Sequence, residues 1–236
     1  MHLRKKSVGN SDYSGLIIVN KPAGITSFKL VSIIKKILNV KKAGHCGTLD
    51  PLASGLMLIL VGKATKAQDS FMKQDKVYLA GIRLGFKTDS GDLSGKIISQ
   101  SSYDHITKNQ IINVCKSFEG LIEQTPPMFS ALKVKGKKLY ELARQGITID
   151  RKKRNVRIYS IDVLGLSDNI INIRVKCSSG TYIRTLAEDI GEKLGTDAVL
   201  NNLVREEIGI YSLKNSLNCS IESLNKNLLI ENLIKI

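Results

Sequence analysis

Apolar and polar positions change period several times along the chain, and each change marks an element. Residues 15–20 (Gly-Leu-Ile-Ile-Val-Asn) form a short apolar run that predicts a buried strand, closed by the turn Lys21-Pro22-Ala23-Gly24. Thr26 or Ser27 can cap the helix that follows, because Leu30, Val31, Ile33, Ile34, Ile37 and Leu38 then fall at helical spacing. Lys29, Lys35 and Lys36 lie largely off that stripe. Residues 41–51 have poor periodicity, and the apolar run 56–61 reads as a second buried strand. Residues 76–84 alternate, with Tyr78, Ala80, Ile82 and Leu84 on one face, which puts Tyr78 on a strand.

Residues 88–95 are rich in turn formers, and Thr107 can cap a helix carrying Ile111, Ile112, Val114, Cys115 and Phe118 that stops near Gly120. Pro126-Pro127 breaks the chain, and a short helix over 137–145 is ended by Gly146. Strands follow near 156–164 and 170–177, then a helix over 181–194 that opens with Tyr182-Ile183-Arg184 and ends at Gly195. No internal repeat, low-complexity linker or sharp domain boundary is visible. Strands and helices in irregular order predict an α+β fold rather than a doubly wound sheet.

A chain of 236 residues can bury a real core, and 42% hydrophobic with 24% charged residues is ordinary for a globular protein. The charge balance changes the picture. Thirty-six Lys and Arg against 21 Asp and Glu leave a formal +15, which points to a polyanionic partner because phosphate neutralisation drives affinity. A compositional bias toward Ile, Lys and Asn accounts for part of it. Aromatic residues reach only 5% and no RNP-like motif occurs, so a stacking platform of the RRM kind is disfavoured. Residues 1–15 lack the apolar stretch of a signal peptide, and the longest apolar run is too short to span a bilayer. Cys46, Cys115, Cys177 and Cys219 are scattered, with no C-x-x-C pair, which argues against zinc and against a disulfide framework. The expectation is a cytoplasmic protein with reduced thiols and no membrane association.

The segment Gly44-His45-Cys46-Gly47-Thr48-Leu49-Asp50-Pro51-Leu52-Ala53 carries the first candidate chemistry. Its glycines allow close backbone approach, and Pro51 pushes Asp50 toward extended geometry. By composition alone an Asp-Pro in a glycine-rich stretch is a turn. The same segment resembles the G-H-x-G-T-L-D-P-L-A signature of TruB-type tRNA pseudouridine synthases. Four further blocks resemble that family in the same order: Asn20-Lys21-Pro22-Ala23-Gly24, Asp75-Lys76-Val77-Tyr78, the stretch from Pro127 to Gly146, and Ser179-Gly180-Thr181-Tyr182-Ile183-Arg184.

The resemblance implies a pseudouridine synthase fold: a mixed, mostly antiparallel sheet with flanking helices and an RNA-binding insertion at about 124–152 that grips a T-loop. It implies isomerisation of the T-loop uridine at tRNA position 55, with base flipping, an Asp carboxylate, and no cofactor or metal. Asp50 becomes the catalytic acid and Arg184 the cation that keeps it ionised in a dry pocket. Tyr182 is a second catalytic candidate, for packing on Asp50 or a late proton transfer. Tyr78 would stack on the flipped base, His45 would help extrude it, and Leu203 and Lys21 would line the substrate pocket. Lys133, Lys137, Lys138, Arg144 and Arg154 lie in a basic window, with Lys135, suited to tRNA phosphates.

The partner expected from the resemblance is the T-arm of tRNA, met by a monomer with no required protein partner. Two departures stand out. Family members usually continue into a C-terminal PUA-like domain, so this chain is expected to be one catalytic domain, 1–236, with that appendage absent or vestigial. Val204 stands where the family usually has an arginine beside Arg205, so the phosphate or structural contact that the resemblance implies for that arginine is not expected here. The alternatives are a tRNA-folding chaperone without essential catalysis and a guide-RNA-dependent synthase. The second is disfavoured by the insertion.

Overall fold

The structure is a computed structural model that describes residues 12–134, 136–218 and 220–236. Residues 1–11, Lys135, Cys219 and the Lys133 side chain lie outside the described residues. In chain order the elements are β1 (Gly15–Lys21), α1 (Ser27–Leu38), β2 (Ala43–His45), β3 (Ser54–Val61), α2 (Gln68–Met72), β4 (Lys76–Leu84), β5 (Phe86–Thr88), β6 (Ile97–Gln100), α3 (Lys108–Lys116) and β7 (Gly120–Gln124). They continue as β8 (Lys133–Val134), β9 (Lys137–Lys138), α4 (Leu139–Ala143), β10 (Arg154–Ser167), β11 (Ile170–Cys177), α5 (Ile183–Leu194), β12 (Ala198–Ile208), β13 (Tyr211–Ser212) and α6 (Lys226–Glu231).

One nine-stranded sheet organises the molecule in the order β1-β3-β12-β4-β11-β10-β7, with β2 on β3 and β13 on β12. Every pairing in it is antiparallel except the two-residue parallel contact between β12 and β3. The mixed, mostly antiparallel α+β architecture is therefore the one expected. Period-two alternation sorts the side chains of β1 and β3 into two cores. Ile17, Val19, Met57, Ile59 and Val61 join the main core, with Leu30 and Ile34 of α1, Ile111 of α3, Leu186 and Ile190 of α5 and Leu229 of α6. Leu16, Ile18, Leu56, Leu58 and Leu60 face a smaller core under Ala64 and Phe71. Burial on both faces explains why residues 56–61 are uniformly apolar. The C-terminal segment covers the free edge of β1, exchanging backbone hydrogen bonds between Leu16 and Ile234 at 2.8 and 2.9 Å.

Local signals explain several of the helix ends. The Thr26 hydroxyl caps α1 by accepting from the Lys29 N–H, and Thr107 and Gln110 form a capping box on α3. Gly195, at φ +78°, ends α5. Two expected helices are shorter than predicted. The stretch expected as helix over 137–145 begins instead as the β8–β9 hairpin and turns helical only at Leu139, and α5 starts at Ile183 rather than 181. The described cysteines Cys46, Cys115 and Cys177 are free and buried. Among the described residues no helix is long and apolar enough to cross a membrane.

Candidate active site

Asp50 sits on the loop between β2 and β3, and that loop is gripped from three sides. From α1, the Ser27 hydroxyl accepts from the Leu49 N–H and donates to the Leu49 carbonyl, both at 2.8 Å. From the turn after β1, the Gly24 N–H donates to the Pro51 carbonyl at 2.7 Å. From β12, the buried Arg205 donates through Nε to the Leu56 carbonyl at 2.8 Å and through Nη2 to the Gly47 carbonyl at 3.1 Å. Gly55 permits this approach: at φ +107°, it lies so close to β12 that an added Cβ would meet the Arg205 backbone oxygen at 2.4 Å. Asp50 is thus carried on a braced segment rather than a free turn.

Across the cleft, Arg184 in the first turn of α5 meets it. Arg184 Nε lies 3.0 Å from Asp50 Oδ2, with the arginine side chain 4% exposed and the aspartate 37% exposed. The other guanidinium nitrogens are committed: Nη1 donates to the Ser90 carbonyl at 2.8 Å and Nη2 to the Phe129 carbonyl at 2.6 Å. Asp92 Oδ2 lies 4.0 Å from the same Nε, and its Oδ1 accepts from the Ser90 hydroxyl and the Ser94 N–H, both at 2.9 Å. One buried cation therefore serves two carboxylates, of which Asp92 is also held by the Ser90 and Ser94 donors.

Burial raises the Asp50 pKa above the ordinary carboxylate value, and Asp92 adds to it, whereas Arg184 and Lys21 pull it back down. Lys21, the last residue of β1, is fully buried and donates to the carbonyls of Pro22 and Ile25 at 2.9 and 2.8 Å. Burial lowers its pKa to about 8, against the opposing pull of Asp50. Tyr78 is buried on β4 directly opposite Arg205, and burial raises its phenol pKa. A carboxylate about one-third exposed, a committed guanidinium and a buried lysine and tyrosine within electrostatic reach make a charged cluster in which the carboxylate reaches solvent.

The profile of the "TruB family pseudouridylate synthase (N terminal domain)" matches residues 35–183, which contain the Asp50 loop, β4 and the turn into α5. The chain belongs to the TruB family. The tRNA pseudouridine synthase B of Endomicrobium trichonymphae is 54% identical over 212 residues, 90% of this chain and 91% of that protein. The tRNA pseudouridine synthase B of Clostridium tetani is 45% identical over 213 residues, 90% of this chain and 73% of that protein. A chain from the crystal structure of a Cbf5-Nop10-Gar1 complex superposes with a TM-score of 0.66 at 34% identity, over 84% of this chain and 50% of that one. This TruB-family chain thus spans about half the length of that solved chain.

The residues named for chemistry are not all brought together. Asp50, Arg184, Lys21 and Tyr78 converge, and Leu203 lies in the same core, across from Ala80 of β4. Tyr182 enters through α5, immediately before whose first residue it stands. Its ring lies under the Arg154 guanidinium, 4.5 Å from ring centre to Cζ. His45, on β2, is half-buried with Nδ1 unpartnered, and burial and Arg205 lower its pKa. Lys137, Lys138 and Arg144 lie on the segment between β7 and β10, where Lys138 and Arg144 flank the Tyr140 ring at 5.4 and 5.5 Å.

Sequence reasoning did not find Asp92, Ser27 or the anchoring role of Arg205. Asp92 sits in a turn whose composition carries no sign of a buried acid. Val204, beside Arg205 on β12, pairs with Ser54 and Leu79, while the arginine contacts to the loop come from Arg205. Removing that anchor strands the carbonyls of Gly47 and Leu56, each costing about 1–3 kcal/mol when buried and unpaired. Arg205→Ala is therefore expected to lower the free energy of unfolding in urea by about 2–6 kcal/mol. A change under about 0.5 kcal/mol, the range of ordinary surface substitutions, would mean the loop is held without it.

Proposed function

We propose that this chain isomerises one uridine of transfer RNA, the T-loop uridine at position 55, to pseudouridine, with Asp50 as the catalytic carboxylate. The observation that carries this reading is the 3.0 Å ion pair between Asp50 and Arg184, formed where the carboxylate is still one-third exposed to the cleft. Isomerisation breaks the bond from uracil N1 to C1′, turns the base and rejoins it through C5. Attack at C1′ and removal of a sugar proton are the two routes open to a carboxylate, and both need it ionised. Arg184 and Lys21 favour that form against the desolvation that opposes it.

The target base has to leave its stack, at a cost of a few kcal/mol, before it can reach such a pocket. Tyr78, on the strand beside Arg205, supplies the aromatic surface for the everted base. The segment between β7 and β10 presents Lys137, Lys138 and Arg144 to the phosphates of the T-arm. The names of the two relatives, both tRNA pseudouridine synthase B, support the same substrate.

The test is carbodiimide mapping, at nucleotide resolution, of unmodified tRNA incubated with the purified chain alone. A single new adduct at position 55, absent when that uridine is replaced by cytidine, is the expected result. Tight tRNA binding with no adduct would favour a folding chaperone instead, and an adduct that appears only with added protein or guide RNA would favour the assisted branch.

A further inference from the structure

The segment between β7 and β10 leaves the sheet at Gln124 and returns at Arg154, and these two residues are partners in register across the ladder. Both turn to the same target. The Gln124 side chain, 1% exposed, accepts from the Tyr182 N–H at 3.0 Å and donates to the Tyr182 carbonyl at 3.2 Å. The Arg154 guanidinium stacks on the Tyr182 ring at 4.5 Å and donates to the Gly180 carbonyl. Tyr182 has no side-chain hydrogen bond capping α5; this grip adds to the bonds from the Thr181 N–H and hydroxyl to the Ser178 carbonyl in holding the turn that enters the helix.

The same root reaches the next catalytic candidate. The Phe129 carbonyl, a few residues into the segment, accepts from Arg184, and the Thr125 carbonyl accepts from the Thr185 hydroxyl at 3.4 Å. Arg151 donates to the Pro126 carbonyl at 3.0 Å and ties the two stems together. The base of the segment and the start of α5 are one bonded unit. Arg154 also has its Nε buried without a partner, a cost a freely solvated phosphate ligand would not carry.

We propose that Arg154, together with Gln124, is a positioning residue: it holds the Tyr182 ring and the turn before α5, so that seating the segment on RNA and aligning Tyr182 and Arg184 are a single event. The proposal rests on the reading of Tyr182 as part of the catalytic pocket. A residue of this kind affects the rate of the bound complex rather than its affinity, because the ring it steers acts after binding.

Single-turnover rates and tRNA dissociation constants, measured for the full chain over a range of salt, test it. Arg154→Ala should lower the single-turnover rate by about 10- to 100-fold. The dissociation constant and its salt dependence should stay close to those of the parent. Arg154→Lys should fail to restore the rate, because an ammonium keeps the charge but neither the planar stack nor the fork that reaches Gly180. In a Tyr182→Ala background, Arg154→Ala should cost little more. In the protein labelled with carbon-13 on its tyrosine rings, the Tyr182 resonances should shift in Arg154→Ala even without RNA. That readout stands apart from turnover, whereas loss of turnover in Asp50→Asn tests the reading of the pocket. An unchanged rate with weaker binding, a salt slope reduced by about one and rescue by lysine would make Arg154 a phosphate ligand and overturn the proposal. Unmoved Tyr182 resonances would overturn it as well.

Discussion

Asp50→Asn is expected to cut pseudouridine formation by about 10⁴-fold or more, the scale seen when a central catalytic group is removed, while fold and tRNA affinity stay nearly intact. The amide keeps the shape of the side chain and an oxygen that can accept from Arg184 Nε. It loses the charge that either route at the sugar requires. Stability should not fall with it. Burial raises the Asp50 pKa, so the folded protein binds this proton more tightly than the unfolded chain does. The ionised carboxylate therefore opposes folding: stability is fullest below the unfolded pKa and is lost as pH rises through the folded one. A neutral amide removes that penalty at pH 7. Nor is Arg184 left without partners, since Asp92 and the carbonyls of Ser90 and Phe129 remain. Release of tritium from tRNA labelled at uridine C5, alongside thermal unfolding, checks both halves. Turnover within tenfold of the parent would remove Asp50 from the chemistry, and a Tm lowered by many degrees would mean that its charge is structural.

Much of the fold could be read from periodicity because the strands and helices that build the core keep one period from end to end. Tyr78 is the clearest case: alternation over 76–84 put it on a strand, and the structure has it buried on β4. The central strand β12 escaped, for a physical reason. Bulges shift its register between Leu200 and Asn202 and again between Arg205 and Glu207, so no alternation survives across its eleven residues. The short pairs β8–β9 and β5–β6 escaped too, because two- to four-residue strands are too brief to show a period.

The site was legible in a different way. Nothing in the local composition of residues 44–55 separates a catalytic aspartate from a turn. Only the resemblance of the whole segment to a known signature did so. Arg184, by type and helical position, has the profile of a surface arginine, yet it is almost fully buried. Its partners come from the loop after β2, the turn at Ser90 to Ser94 and the segment after β7, stretches far apart in sequence that only the sheet brings together. Buried polar contacts of this kind leave no periodic trace, which is why Asp92, Gln124 and the anchoring role of Arg205 had to be found in the structure.

Arg184 is the point at which removing a side chain should damage stability and chemistry together. In Arg184→Ala, Asp50 and the buried Asp92 would face each other with Lys21 still acting on Asp50 as a cation. Breaking a fully buried pair costs about 3–5 kcal/mol because the partner charge is left uncompensated, and the one-third exposure of Asp50 puts this loss at the low end of that range or below it. The carbonyls of Ser90 and Phe129 would also lose their donors. The system can relieve itself by protonating a carboxylate, which is the form that cannot act. The expected result is therefore a lower Tm and an acid limb of kcat/KM displaced toward higher pH, since the largest influence now lowering the Asp50 pKa is gone. Arg184→Lys separates charge from geometry. One ammonium can sit near Asp50, but it cannot meet Asp50, Ser90 and Phe129 from three fixed nitrogens. Lysine should thus recover part of the stability and return the acid limb toward its original position, while kcat stays depressed by about 10²-fold or more, the cost of a misplaced catalytic group. A pH profile that does not move in Arg184→Ala would mean that this guanidinium does not set the ionisation of Asp50. Full activity in Arg184→Lys would mean that charge alone is enough.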